Sequence, residues 1–389
     1  MNPSSQATDA VWAGEENLLL TGATVVPVSF GVAHGYPDVE TWQAVALGQA
    51  PGYIYARNTN PTVEAFEQKI RALEQADDAT SFSTGMAAIS NTLFALLKPG
   101  DRVVSSKDTY GGTNQIFLNT LPRWGVEVAL CDTADADAIE AAIGNGCALL
   151  YLETPTNPTL KVQPIARLAA AARRAGAVVV VDNTFATPVN QNPLALGADL
   201  VIHSATKYLG GHADAMGGAL CGRRDLVRTV FHHREINGAS LDPMSAYLLL
   251  RGMKTLSLRI ERQNASALTI ARWLERHPRV SQVNYPGLES HPQHEIAAEQ
   301  MRGFGGMLSF ALKGGFDEVK GVLPKFKRMH RAANLGAVET VGGPPATTSH
   351  VECSPEERAA MGIPEGLIRY SVGIEAVNDL IADLAQALG

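Results

Sequence analysis

The sequence has few of the features that mark several protein classes. Its 389 residues include four cysteines, none of which forms a Cys-x-x-Cys pair, so we expect neither a disulfide framework nor a zinc site. No apolar run approaches the ~20 residues needed to span a bilayer, so we expect no membrane partner. The net charge is −7, which disfavours a nucleic-acid partner because nucleic acids bind basic surfaces.

The composition is that of an ordinary globular enzyme, with 46% hydrophobic and 18% charged residues. Residues 1–16 contain no basic segment followed by an apolar one, so we expect no signal peptide and a cytoplasmic protein. The chain is longer than one hydrophobic core usually supports, which predicts at least two domains.

Three regions of the chain differ in pattern. Residues 1–59 are interrupted by prolines and glycines, and we expect an irregular arm that contacts a neighbouring subunit. Residues 60–250 alternate short apolar runs with helical patterns, beginning with a helix that Thr62 caps and that extends to Leu73. This alternation predicts an α/β fold whose mainly parallel sheet is covered by helices. Residues 251–389 are expected to form a smaller C-terminal α/β domain.

The strongest functional signal is Lys207. It follows the apolar run 198–202 and lies in the segment SATKYLGGH. Asp182 ends the run 177–181 and Glu153 follows the run 148–152, so one pocket at the carboxyl ends of parallel strands can collect all three residues. A lysine for a Schiff base, hydroxyls for a phosphate and an acid for a pyridine nitrogen are what pyridoxal 5′-phosphate (PLP) requires. The alternative is a surface lysine beside a glycine-rich turn.

Further motifs extend this pattern through the chain: Tyr55-Ala56-Arg57, Ser83-Thr84-Gly85-Met86, Tyr110-Gly111-Gly112-Thr113, Glu153-Thr154-Pro155-Thr156-Asn157-Pro158, Val181-Asp182-Asn183-Thr184 and Ile368-Arg369-Tyr370-Ser371. With the Lys207 segment, they resemble the Cys/Met-metabolism PLP-dependent enzymes of fold type I over nearly the whole chain. That family includes cystathionine γ-synthase, cystathionine γ-lyase, methionine γ-lyase and the homoserine-ester sulfhydrylases. The resemblance implies a homotetramer, a dimer of dimers with shared active sites.

The resemblance also implies a role for each matching residue. Lys207 would form the Schiff base and, once released, move protons between Cα and Cγ of the substrate. Asp182 would pair with the pyridinium nitrogen, and Tyr110 would stack on the ring and pass a proton to the leaving group. The other implied cofactor-binding residues are Gly85, Met86, Asn157, Thr184, Ser204, Thr206, and Tyr55 and Arg57 from a neighbouring subunit. Arg369 would bind the substrate α-carboxylate through a bidentate contact, with Asn157 and Asn334 as further substrate contacts.

Several of these residues have alternative interpretations. Asp182 is also compatible with a helix cap, Tyr110 with a core aromatic and Arg369 with a surface ion pair. Glu153 is equally compatible with orienting the site and with stabilising its loop. Outside the motifs, His291 and His294 lack a third ligand, so we expect no metal site. The basic cluster from Lys325 to Arg331 predicts a solvated face or a subunit contact.

The chain departs from the family patterns around the γ-substituent. Ala333 stands where the cystathionine enzymes have an acid near a distal amino group, and Asn334 is more similar to the sulfhydrylases. Gly112 replaces a cysteine typical of methionine γ-lyases, and Pro344-Pro345 replaces the sulfhydrylase His-Pro. The resemblance therefore implies γ-elimination or γ-replacement on an L-homoserine-derived amino acid, with a thiolate, a carboxylate or another O-linked leaving group such as the guanidinooxy group of canavanine. An O-succinyl- or O-acetylhomoserine sulfhydrylase is the alternative, and a non-catalytic PLP-binding regulator is the candidate from a different class.

Overall fold

Helices and strands alternate along the chain in the computed structural model, which describes residues 5–16, 18, 22–351 and 353–389. Residues 1–4, 17 and 19–21 of the predicted arm lie outside the described residues. The helices are α1 (Gln6–Trp12), α2 (Val39–Ala46), α3 (Pro61–Glu74), α4 (Gly85–Leu96), α5 (Gly111–Gln115), α6 (Ala136–Gly144), α7 (Ile165–Arg174), α8 (Thr187–Asn190), α9 (Arg224–Asn237), α10 (Pro243–Met253), α11 (Leu256–Glu275), α12 (His294–Gln300), α13 (Gly315–Val322), α14 (Pro355–Ala360) and α15 (Val377–Leu388). The strands are β1 (Asp78–Phe82), β2 (Arg102–Ser106), β3 (Glu127–Cys131), β4 (Leu149–Glu153), β5 (Val178–Asp182), β6 (Leu200–Ser204), β7 (Gly218–Gly222), β8 (Val280–Asn284), β9 (Met307–Leu312), β10 (His330–Arg331), β11 (Val341–Gly343) and β12 (Leu367–Ser371). Within the described ranges, no helix is both long enough and apolar enough to cross a membrane.

A seven-stranded sheet carries most of the predicted motifs, in the strand order β1-β7-β6-β5-β4-β2-β3. Strands β2 to β6 pair in parallel, whereas β7 pairs antiparallel with both β1 and β6. The inner strands are apolar and β-branched, as in the VVVVD sequence of β5, because helices cover both faces of the sheet. The prediction of a mainly parallel α/β sheet is confirmed. The sequence analysis did not anticipate β1 and β7.

The register of the sheet places two acids side by side. Glu153 pairs with Asp182, and Asp182 pairs with Ile202, at the carboxyl ends of β4, β5 and β6. Ser204 ends β6, and Lys207 follows it by three residues. The acids are therefore the last residues of their strands, rather than residues just after them as the sequence analysis expected.

A second, mixed sheet follows, in the strand order β10-β11-β12-β9-β8. Its strand β12 lies between β11 and β9 and carries Arg369, which pairs with Gly343 on one side and Ser309 on the other. The long helix α11 contributes Ile260 to the core around Tyr208 and Ile270 to the core around Phe310. A domain boundary near residue 250 stays a prediction, because this one helix serves both cores.

The N-terminal arm is more ordered than the sequence suggests, since it contains α1 and α2. Helix α1 packs on α3 of its own subunit. The buried amine of Lys69 donates hydrogen bonds to the carbonyl oxygens of Ala10 and Val11 at 3.0 Å and pairs with Glu15 at 2.8 Å. The rest of the arm exposes apolar side chains, including Phe30, Val32, Val39, Trp42 and Leu47.

The predicted cap of α3 was wrong by two residues. Asn60 caps the helix, and its side-chain oxygen accepts hydrogen bonds from the N–H groups of Thr62 and Val63. Pro61 occupies the first helical position, where its fixed φ angle is favourable, so the cap must precede it. The hydroxyl of Thr62 instead donates to the carbonyl oxygen of Pro27 at 2.8 Å, which attaches the arm to the helix.

Candidate active site

A cavity of about 290 Å³ lies at the carboxyl edge of the large sheet. It collects ten of the predicted site residues: Gly85, Met86, Tyr110, Asn157, Asp182, Thr184, Ser204, Thr206, Lys207 and Arg369. Glu153 also lines it, and Ala333, Thr348 and Ser349 line it from the C-terminal part of the chain. The cavity therefore brings together residues more than 280 positions apart in sequence, such as Gly85 on α4 and Arg369 on β12.

One end of the cavity is the N-terminus of α4. Thr84 caps this helix, and its hydroxyl accepts a hydrogen bond from the N–H of Ala87. The N–H groups of Gly85 and Met86 are the first of the helix and have no acceptor within it. A Cβ atom at Gly85 would lie 2.7 Å from Cβ of Ser204 and 2.8 Å from its Oγ. Glycine therefore lets the helix end approach the Ser204 hydroxyl, which forms a site suited to an anion.

Thr206 lies in the same turn as Lys207. Its hydroxyl oxygen accepts a hydrogen bond from the N–H of Gly217 at 3.0 Å and lies 3.3 Å from the Gly217 carbonyl oxygen. The side chain of Thr206 is thus held in place while it lines the cavity.

The Asp182 carboxylate is buried and held by its neighbours. Its Oδ1 accepts hydrogen bonds from the N–H of Thr184 at 3.0 Å and from the Thr184 hydroxyl at 2.5 Å. The same hydroxyl oxygen accepts a hydrogen bond from the N–H of Ser204 at 2.9 Å. Thr184 therefore links the acid to the anion site at the start of α4, which we call the phosphate end. Burial raises the pKa of Asp182, while the hydrogen bonds from Thr184 lower it.

Tyr151 is a contact of this acid that the sequence analysis missed. Its hydroxyl lies 3.4 Å from Oδ2 of Asp182, in a fully buried position. Tyr151 lies two residues before Glu153 on β4, and side chains two apart on a strand share a face. That spacing was the available signal.

The amine of Lys207 donates a hydrogen bond to Oδ1 of Asn334 at 2.9 Å. Burial, with a smaller contribution from the nearby Arg369 guanidinium, lowers the pKa of Lys207 to about 8. A substantial fraction of the amine is therefore neutral near physiological pH, the state that a nucleophile or a base requires. Lys207 is not the surface lysine of the alternative interpretation.

Arg259 holds the turn that carries Lys207. The buried guanidinium of Arg259 donates hydrogen bonds to the carbonyl oxygens of Tyr208 at 2.7 Å and Leu209 at 3.2 Å. The sequence analysis missed Arg259 because it lies in the middle of an otherwise ordinary helical pattern on α11.

Arg369 is buried, so it is not a surface ion pair. Its guanidinium donates hydrogen bonds to two neutral oxygens, Oδ1 of Asn157 and the carbonyl oxygen of Asn334, both at 3.1 Å. Burial lowers the pKa of Arg369 to about 10, so the side chain remains charged at neutral pH. A buried cation held by neutral groups at a cavity wall suits a carboxylate ligand.

Tyr110 is 46% exposed at the cavity rim, which excludes the core interpretation. Its backbone N–H donates to the Glu153 carboxylate at 2.7 Å. Burial and the nearby Asp182 raise the pKa of Glu153 well above its usual range. Glu153 therefore holds the loop at Tyr110 and also lines the cavity. Stabilising the loop and orienting the site are thus compatible roles for this residue.

Three predicted residues do not line the cavity: Asn334, whose side chain accepts the hydrogen bond from Lys207, and Tyr55 and Arg57. Tyr55 and Arg57 are exposed near the end of the arm, with the Arg57 guanidinium 5.0 Å from the centroid of the Tyr55 ring. Their role at the site of a neighbouring subunit stays a prediction.

The residues present fit PLP. The helix end and the Ser204 hydroxyl offer donors to a phosphate, Asp182 offers an acid to a ring nitrogen, and Lys207 offers a partly neutral amine to an aldehyde. The close approach at Gly85 supports this assignment most directly, because a side chain there would fill the phosphate end.

Comparisons with known proteins agree with this assignment. A family model described as Cys/Met metabolism PLP-dependent enzyme matches residues 7–389. An L-methionine gamma-lyase of Fusobacterium nucleatum subsp. polymorphum is 45% identical over 88% of this chain and 87% of that enzyme. An O-succinylhomoserine sulfhydrylase of Pseudomonas aeruginosa is 43% identical over 88% of this chain and 85% of that enzyme.

Among solved structures, the chain is similar to a cystathionine gamma synthase from Xanthomonas oryzae pv. oryzae in complex with aminoacrylate and cysteine. The TM-score is 0.94 and the identity 36%, covering 100% of this chain and 98% of that one. These relatives carry different activities in their names at similar identity, so overall similarity does not distinguish their substrates.

Proposed function

Because the chain belongs to the Cys/Met metabolism family of PLP-dependent enzymes, we propose that it catalyses γ-elimination or γ-replacement on an L-homoserine-derived amino acid whose γ-substituent has no distal ammonium group. The family membership establishes a PLP-dependent lyase or transferase. The substrate and the role of each residue below are parts of the proposal.

Arg369 and Lys207 are proposed to position the substrate and move its protons. Arg369 binds the α-carboxylate, and Asn157 and Asn334 hold its guanidinium in place. PLP, when bound, supplies an electron-withdrawing ring that makes the Cα proton of the amino acid acidic. Lys207 then takes the proton from Cα. The hydrogen bond to Asn334 holds the Lys207 amine in place for this step.

Departure of the γ-substituent needs a second proton transfer. Lys207 becomes available for this step once it releases the Cα proton, which PLP, when bound, would accept. Its neutral amine then removes a proton from Cβ, and Tyr110 at the rim donates a proton to the leaving group. A thiol that enters then yields γ-replacement, whereas water completes γ-elimination to 2-oxobutanoate and ammonia. Tyr55 and Arg57 are proposed to reach the cofactor phosphate of a neighbouring subunit, which requires at least a dimer.

The observation that carries the substrate class is the side chain at position 333. Ala333 is exposed and lines the cavity, as do Thr348 and Ser349, and all three side chains are neutral. A distal ammonium placed there loses part of its hydration and gains no counter-charge from these three side chains. A thioether or an O-acyl group has no ammonium and avoids this mismatch. The guanidinooxy group of canavanine also has no ammonium, and it spreads its charge over several atoms.

A homoserine-ester sulfhydrylase is the second candidate. Asn334 resembles the sulfhydrylases at this position, and it makes the direct contact with Lys207. The similarity to an O-succinylhomoserine sulfhydrylase is close to that of the lyases.

One assay tests both candidates. The purified holoenzyme is incubated with methionine, cystathionine, canavanine, O-acetylhomoserine and O-succinylhomoserine, each with and without sulfide, and the products are identified. Release of 2-oxobutanoate without sulfide supports a lyase, and homocysteine formed only with sulfide supports a sulfhydrylase. A clear preference for cystathionine contradicts the proposed substrate class.

A further inference from the structure

Arg234 is a buried arginine with no place in the mechanism above. It lies in the last turn of α9, with 2% of its surface exposed. Its guanidinium donates hydrogen bonds to the carbonyl oxygens of Asn58 at 2.6 Å, Ser81 at 2.9 Å and Arg57 at 3.4 Å. Glu67 supplies the counter-charge at 3.3 Å. A charge is costly to bury unless it is paired and hydrogen-bonded, so these contacts must be made together.

The carbonyl groups that Arg234 holds belong to two separate segments. One segment is the end of the arm, residues 55–58, which places the Arg57 side chain at the surface. The other is β1, which leads through Ser83 to the phosphate end at Gly85. The N–H of Ser83 donates to the carbonyl oxygen of Ala239, just beyond α9, at 3.0 Å. The end of α9 therefore contacts both segments.

Glu235 adds a second contact from the same turn. Its carboxylate accepts a hydrogen bond from the Asn58 side chain at 2.6 Å. Asn58 is thus held twice, through its backbone by Arg234 and through its side chain by Glu235. The residue next to Arg57 cannot move without losing two charge-assisted hydrogen bonds.

We propose that Arg234 and Glu235 are positioning residues for Arg57, which they hold in the orientation that reaches the cofactor phosphate of a neighbouring subunit. The proposal rests on the proposed function, in which Arg57 serves that phosphate. The hydrogen bond to the Ser81 carbonyl oxygen and the ion pair with Glu67 fix the Arg234 guanidinium itself. Arg234 and Glu235 act on PLP affinity through Arg57 and do not contact the cofactor of their own subunit.

The test is a double-mutant cycle on PLP affinity. PLP is removed from the purified holoenzyme and titrated back, and the visible absorbance of the Schiff base reports the Kd. Arg234→Met and Arg57→Ala should each weaken PLP binding by about tenfold or more, as expected for loss of a charge-assisted contact. Arg234→Met in the Arg57→Ala background should add less than about twofold, because its effect passes through Arg57.

Arg228→Met is the matched control. Arg228 lies on the same helix, but its side chain is 61% exposed and its ion pair is with Asp78. Its PLP affinity should equal that of the wild type. If Arg234→Met does not fold, Asn58→Ala and Glu235→Ala replace it, since each removes the hydrogen bond between Asn58 and Glu235 and leaves the buried Arg234 in place. Each should weaken PLP binding by a few-fold, and again not in the Arg57→Ala background.

Two results overturn the proposal. One is an additive effect of Arg234→Met and Arg57→Ala on the Kd. The other is a loss of thermal stability in the cofactor-free Arg234→Met enzyme with no change in Kd, which would mean a purely structural role. Failure of the shared site is recognised separately, because active hybrids of Arg57→Ala and Lys207→Ala subunits then do not form. Active hybrids combined with additive Kd effects reject the positioning role alone.

Discussion

At the scale of single residues, the site depends on two cations that lie close together in a buried wall. Arg369 remains charged, whereas the pKa of Lys207 is lowered to about 8, because burial and the neighbouring guanidinium both penalise its ammonium form. The proposed roles of Lys207 and Ala333 can be tested by substitution and by the pH profile.

Lys207→Ala should remove the Schiff-base absorbance and lower turnover by at least about 10³-fold, since we propose the amine as both the nucleophile and the base. Absorbance spectra after borohydride reduction, with steady-state rates, provide the measurement. A variant that retains a reducible chromophore on the protein would show that another amine binds the cofactor.

The rate should depend on the protonation of Lys207. Its pKa is lowered to about 8, and only the neutral amine accepts a proton, so kcat should level off above about pH 8. Below that value kcat should fall by about tenfold per pH unit, because the ammonium form increases. The pH profile of kcat is the measurement, and a flat profile from about pH 6 to about pH 9 contradicts Lys207 as the base.

Ala333→Glu should shift the ratio of kcat/KM for cystathionine over O-succinylhomoserine by about tenfold or more toward cystathionine. The added carboxylate can pair with the distal ammonium of cystathionine and repels the terminal carboxylate of the succinyl ester. Ala333→Gln is the control, because it adds similar bulk without charge. A wild type that already prefers cystathionine, unchanged by the glutamate, contradicts the argument.

At the scale of secondary structure, the phosphate end depends on how closely α4 approaches β6. Glycine at position 85 permits that approach, and the hydrogen bonds of Thr84 and Thr184 fix the two elements on either side. The helix end and the strand end therefore act as one anion site only at their present separation.

Gly85→Ala should weaken PLP binding by roughly tenfold or more, because the new Cβ atom forces α4 and β6 apart and displaces the first N–H groups of the helix. Ser204→Gly alone should weaken it less, through loss of one hydroxyl. The double variant should bind PLP more tightly than additivity predicts, since the clash is largely relieved. Strict additivity in the measured Kd values would exclude a steric cause.

At the scale of the whole molecule, the arm divides into two parts with different surroundings. Helix α1 is fixed to its own subunit through the buried Lys69, whereas residues 30–57 present apolar side chains and Arg57 to the outside. The outer part is therefore the part of the arm that the proposed shared site would use.

Mixing Arg57→Ala subunits with Lys207→Ala subunits should restore up to about a quarter of the wild-type activity, because half of randomly formed dimers are hybrids with one intact site of two. Activity is measured after co-refolding or co-expression, with mass spectrometry to show that hybrids form. Hybrids without activity would mean that Arg57 does not serve a neighbouring site.

Much of the fold and of the cofactor site follows from local sequence. The β-branched runs that end in Glu153 and Asp182 predict buried parallel strands, and parallel strands place their carboxyl ends at one edge. Errors arose where one position competes with its neighbour, as at the helix cap, where Pro61 moved the cap from Thr62 to Asn60. Helix α1 was missed because its carbonyl groups are held by Lys69, which lies almost sixty positions further along the chain.

The sequence by itself determined the chemistry, because a lysine, an acid and a phosphate-binding helix end are residue types in a fixed order along the chain. Only the tertiary structure decided which residues modify that chemistry. The contacts of Lys207 with Asn334 and of Arg369 with Asn157 join residues 127 and 212 positions apart, and Arg234 contacts Asn58 across 176 positions. Such contacts depend on the order of strands and the packing of helices, and no local pattern records where a distant side chain will lie.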